Sequence, residues 1–209
     1  AALLLYSFLF RLNEWRLFYK LFAFNCLAMP FVLSLIWIWA CRFWNLQVRN
    51  CGFSGIASAF LGASVFAYAL FLHVTLKVNV LHACMSTILF FMLVFTLTYF
   101  PPTSTITATV ILLLASFILF ACKTVKSIDP QAKNKLQEKI KNPKIATITV
   151  SLLPLFLYLI ILAFSPILFP TQIFQGNRIV NVLLHFAGFV LGISTARMLW
   201  QHSQRQRVN

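Results

Sequence analysis

Two short stretches of this chain carry residue types that could do chemistry. Gly52-Phe53-Ser54-Gly55 sets a hydroxyl between two glycines where a long apolar run begins. His185-x-x-Gly188-x-x-x-Gly192 sets an imidazole, backed by glycines, near the start of another. A serine becomes a nucleophile when a base takes its proton, and that base must come within ~2.6–3.2 Å of the hydroxyl. Each stretch also has a plain reading. The first is a tight turn, and the glycines of the second are a packing face with a histidine bonded to a nearby carbonyl. The chemical reading needs both residues to meet, so it depends on the elements that carry them.

Those elements are membrane helices. Hydrophobic residues make up 61% of the 209 positions and only three residues are acidic. A soluble domain of this size cannot hide so much apolar surface, so the composition predicts an all-α, polytopic membrane bundle. Six apolar runs reach spanning length, roughly 20–41, 52–73, 79–100, 106–122, 146–169 and 179–200, in one membrane domain covering 1–209. Periodicity does not sharpen these limits, because lipid-facing and buried faces are both apolar. Residues 1–10 read as the cytoplasmic half of a truncated helix, or as an interfacial segment. The segment 123–144 reads as a basic cytoplasmic loop with a short surface helix that starts at Pro130 and stops at Pro143. Solvation accounts for its lysines; binding of anionic lipid headgroups or a partner is the alternative.

The cations orient the bundle. If the spans alternate, fourteen of the seventeen Lys and Arg residues fall on one side, from Arg11, Arg16, Lys20 and Lys77 through the Lys123–Lys144 loop to Arg197, Arg205 and Arg207. The other side keeps Arg42, Arg49 and Arg178. This asymmetry places the start of the first span and the carboxyl end in the cytoplasm, in a multi-pass protein of the cell membrane. A net charge of +14 is explained by topology, and no fold that reads bases is visible, so no nucleic-acid partner is expected. Neither a cofactor nor a metal is expected. Of the five cysteines, only Cys41 and Cys51 lie near one membrane surface; free thiols are expected over a disulfide.

Topology then selects the base. Ser54 lies at the outer end of the second span, and His73 falls roughly 28 Å lower on the same helix. His82 opens the third span on the cytoplasmic side, and His202 lies in the cytoplasmic tail. Only His185 sits at the depth of Ser54, on a span running in the same direction. Gly188 and Gly192 share a helix side with His185. Gly55, Ala59 and Gly62, with Ser58 beside them, offer a matching set of small residues for close helix approach in lipid.

With these residues in place, the chain resembles the rhomboid family of intramembrane serine proteases. Gly52-Phe53-Ser54-Gly55 and His185-x-x-Gly188-x-x-x-Gly192 match the family's serine and histidine motifs. The stretch "RLNEWRLFYKLFAF" resembles the cytoplasmic turn before the family's third core helix, with Glu14 in place of the typical glutamate. The resemblance covers roughly 1–73 and 175–200. It implies a Ser54–His185 dyad, with Gly52, Gly55, Gly188 and Gly192 supporting the oxyanion site and the packing. It further implies transmembrane protein substrates cut near the outer face. Two features depart from the family. The serine and histidine lie 131 positions apart, enough for three intervening helices where one is usual. The His and Asn that normally help hold the oxyanion have no counterpart here.

Other classes fit parts of the sequence. A rhomboid-like protein that binds or escorts transmembrane segments without cutting them would keep the same bundle. A transporter or structural subunit would use Pro154, Pro166 and Pro170 to bend the fifth span. Asn45, Gln47, Asn50, Gln175 and Asn177 could admit water from the outer side, although ordinary loop solvation also explains them.

Overall fold

A computed structural model describes residues 1–43, 49–50, 54–100, 102–138, 143–168, 174–175, 178–179 and 182–208. Helices dominate. In chain order they are α1 (Ala2–Arg11) and α2 (Trp15–Phe43), then, after strand β1 (Arg49–Asn50), α3 (Ser54–Leu76), α4 (Val80–Tyr99), α5 (Ser104–Lys126), α6 (Pro130–Glu138) and α7 (Pro143–Leu168). Strands β2 (Phe174–Gln175) and β3 (Arg178–Ile179) precede the last helix, α8 (Val182–Val208).

Among the described residues, four helices, α2 to α5, are long and apolar enough to cross a membrane. Their surfaces agree with that reading. Leu27, Phe31, Leu35 and Trp39 on α2 and Ile111, Leu112, Ile118 and Leu119 on α5 are all exposed. Such apolar stripes are costly in water and natural in lipid. The expected fifth and sixth spans correspond to α7, with an apolar stretch over Leu152–Phe164, and to α8, which continues past position 200 to Val208.

Contacts group the chain into two compact units, 1–67 with 165–209, and 68–164. In the first, α1 packs on α2 and α2 on α8. The α1–α2 turn is closed by Asn13 at φ 55° and by the Glu14 N–H donating to Leu9 O at 2.8 Å. The left-handed conformation suits asparagine better than most residues, because its short side chain bonds locally. Residues 1–10 are thus a short helix tied into the core, with Leu5 and Leu9 fully buried.

In the second unit, α4 and α5 form a tightly packed hairpin. Asn79 and Thr103 cap their first turns through side-chain oxygens, as orphan helix N–H groups require. The Tyr158 hydroxyl of α7 donates to Ser86 Oγ of α4 at 3.0 Å, beneath a cluster of the Phe90, Phe117 and Tyr158 rings. One expectation needs correction. Pro143 is the first residue of α7, where the sequence predicts a stop to the surface helix; the described part of α6 is Pro130–Glu138, and 139–142 lie outside the described residues. A helix's first position tolerates proline, since the missing N–H would have no intrahelical partner there.

Cys26, Cys41 and Cys122 are free thiols and Cys84 is buried; Cys51 lies outside the described residues.

Candidate functional site

The first unit brings the two motif-bearing helices together. Strands β1 and β3 pair in parallel, Arg49 opposite Arg178 and Asn50 opposite Ile179. β2 adds antiparallel to β3. Four positions after Asn50 the chain enters α3 at Ser54, and three after Ile179 it enters α8 at Val182. Two parallel strands held in register therefore launch two helices from one level.

The glycines fix how closely those helices run. A methyl group placed on Gly188 would collide with the Gly55 carbonyl oxygen and lie 3.1 Å from its carbon. One on Gly192 would collide with the Ala59 carbonyl, 2.8 Å from its carbon. In return, one on Gly62 would collide with the Phe189 carbonyl, 3.0 Å from its carbon. Gly55 meets Leu184 and Gly188, Ala59 meets Gly188 and Gly192, and Gly62 meets Phe189 and Ile193, so the helices run parallel with backbones touching. Without hydrophobic drive between helices in lipid, such backbone approach is what small residues supply.

His185 sits at the top of this seam. Its neighbour Leu184 is the residue that Gly55 meets, with a Gly55 methyl 3.3 Å from Leu184 O. Gly188, three residues on, covers Gly55 itself. His185 is buried, at 1% exposure, and lies level with the start of α3. Ser54 is the first residue of that helix, so its backbone is within a turn of the imidazole's level; its side chain is outside the described set. Gly52, Asn45, Gln47 and Asn177 also lie outside the described residues. Asn50 and Gln175 belong to the strands just before the site.

The local field favours negative charge. The first turn of a helix has N–H groups with no intrahelical acceptor and carries about half a positive charge. Here two first turns, those of α3 and α8, open at the same end. That end also receives Arg49 and Arg178, whose backbones are register partners. A hydroxyl and an imidazole at this position could exchange a proton while an oxyanion formed beside them is stabilised.

The other histidines are elsewhere: His73 near the end of α3, with Nδ1 2.9 Å from Val78 O, His82 on the first turn of α4 and His202 on the last turns of α8. The structure adds residues that sequence reasoning missed. Leu33 of α2 closes over Gly55, with Cδ1 2.8 Å from where a methyl would stand; an aliphatic side chain in an aliphatic run gives no signal. Asn25, two turns below Leu33 on the same buried stripe, is fully buried and neither amide atom has a hydrogen-bond partner among the described residues. A lone polar residue inside an apolar run was its available signal. Ser58, one turn below Ser54, is likewise buried with an unpartnered hydroxyl. At the opposite end of the unit, Gln204 Nε2 donates to the buried Glu14 carboxylate at 3.2 Å, tying the end of α8 to the α1–α2 turn.

Comparison with protein-family models, curated proteins and solved structures finds no match to this chain.

Proposed function

We propose that the protein is a rhomboid-like intramembrane serine protease that cuts transmembrane protein substrates near the outer membrane face. The observation that carries this reading is the seam between α3 and α8. Gly188 lies on the Gly55 backbone and His185 is buried one turn above, level with the helix start that holds Ser54. The segments that carry the family resemblance, 1–73 and 175–200, fall almost wholly in the first compact unit, which leaves the extra helices to the second.

In this mechanism His185 takes the Ser54 proton as Oγ attacks the scissile carbonyl. The tetrahedral oxyanion is held by the Ser54 N–H and the first-turn donors. His185 then gives its proton to the leaving amine, and an acyl-enzyme remains. Water, deprotonated by the same imidazole, attacks the acyl carbon; the bond to Ser54 Oγ breaks, Oγ takes the proton back from His185, and the carboxylate is released. The pair acts as a dyad, with packing and hydrogen bonding orienting the imidazole where a triad would use a carboxylate. Six crossings of the cell membrane, with the carboxyl end in the cytoplasm, complete the proposal.

A second reading keeps the same bundle without the chemistry. The family's oxyanion-holding His and Asn have no counterpart in residues 1–209, and losing such donors costs about 10²–10³ in rate. A protein of this kind would bind transmembrane segments without cutting them.

Labelling by a fluorophosphonate in mild detergent separates the two. The protease predicts labelling of the parent that is lost in both Ser54→Ala and His185→Ala. A folded parent that does not label, yet co-purifies with transmembrane segments, would replace the protease with the binder.

A further inference from the structure

Away from the serine and histidine, the second unit contains a cavity of about 560 Å³ between the α3–α4 turn and α6. Its cations come from two elements: Lys77 from the turn and Lys135 from α6. Gln131 adds an amide, and Val74 and Leu136 give it apolar walls. The cavity is built, because hydrogen bonds fasten its sides. The Asp129 N–H donates to Leu76 O at 3.0 Å and the Asn79 N–H to Ser127 Oγ at 3.0 Å. Lys77, at φ 59°, closes α3 by donating its N–H to His73 O at 2.9 Å. Asp129 is the acidic group at the lining; its carboxylate accepts from the Gln131 N–H at 3.1 Å and is engaged in starting α6.

We propose that this cavity binds the phosphate of an anionic phospholipid headgroup. Two lysines converging from separate elements suit a phosphate anion, whether it is carried by a lipid or free. The setting favours the lipid. The cavity opens where two spanning helices end and begin, at Leu76 and Val80, which is the level of the headgroups. Val74, one turn back along α3, lines the cavity and is 60% exposed, so an acyl chain has a surface to follow. Lys123, Lys126 and Lys133 stand on the neighbouring segments and raise the local anion concentration. The proposal needs α3 and α4 to cross the bilayer and is independent of any chemistry at Ser54.

The test is lipid titration of the full chain in mild detergent, reading thermal unfolding against phosphatidylglycerol, phosphatidylcholine and inorganic phosphate in parallel. Phosphatidylglycerol should raise the unfolding temperature more than the other two. Each lysine should contribute about fivefold in apparent affinity. Lys77→Gln/Lys135→Gln should lose the lipid-specific shift, while Lys123→Gln/Lys126→Gln, which removes the same charge outside the cavity, should keep it. Lys135→Gln alone, on the exposed face of α6, tests the site without touching the α3–α4 turn. Equal loss in the control pair would mean diffuse attraction and overturn the site. A shift by inorganic phosphate equal to that by phosphatidylglycerol would overturn the lipid.

Discussion

A single methyl group tests the seam between α3 and α8. On Gly192 it would lie against the Ala59 carbonyl, and backbone cannot step aside as a flexible side chain can. Gly192→Ala should therefore cost about 1–3 kcal/mol, the usual price of overpacking. It should show as a lower unfolding temperature together with weaker fluorophosphonate labelling. Asn25 makes the opposite case. Its buried amide, without a partner among the described residues, carries a desolvation cost of about 1–3 kcal/mol, so Asn25→Leu should raise the unfolding temperature. A fall would show that the amide is held by a partner or a buried water. The sequence exposed His185, Gly188 and Gly192 because polar and small residues stand out in an apolar run. It hid Leu33, which differs in no local way from its neighbours and is chosen by the fold alone.

At the scale of elements, length and apolarity marked out the long helices, since a ~30 Å core demands about twenty residues, but α2 starts five residues before its expected run and α8 ends eight residues after its own. The ends were less legible. Pro143 reads as a stop when only the polar segment before it is considered, yet its fixed φ serves equally well to begin α7. Burial in the second unit was not readable either, because a helix with apolar residues on every side does not announce which side packs. Tyr158 and Ser86 show the consequence, a hydrogen bond between α7 and α4 across 72 positions. Removing Ser86 leaves the Tyr158 hydroxyl without this acceptor, and removing Tyr158 leaves Ser86 Oγ only its own donation to Ala83 O at 2.9 Å, whereas removing both strands neither group. Tyr158→Phe and Ser86→Ala should each destabilise by about 1–2 kcal/mol. The double variant should lose clearly less than their sum, as measured by unfolding of all four proteins in a double-mutant cycle. Strict additivity would mean that the bond contributes nothing.

For the whole molecule, the distribution of cations predicts a topology that the helix order alone does not. With fourteen of seventeen Lys and Arg residues on one side of an alternating chain, the 123–144 segment and the end of α8 should share the cytoplasmic side. Trypsin added to sealed inside-out vesicles should cut the Lys123–Lys144 segment, and right-side-out vesicles should protect it. Cleavage from the outside would invert the bundle and put the start of α3 on the wrong face for the proposed activity.

The parallel pairing of β1 with β3 also has a consequence in time. Asn50 and Ile179 are register partners 129 positions apart, so every contact of this seam is of high sequence separation, the kind that forms late in folding. At about 5–20 residues per second on the ribosome, α3 waits roughly 6–26 seconds for α8. Throughout that interval Gly55, Ala59 and Gly62 lack the α8 backbone that they meet in the folded protein, and the imidazole does not yet exist. For the proposed activity, the nascent chain is therefore inert until α8 has been made.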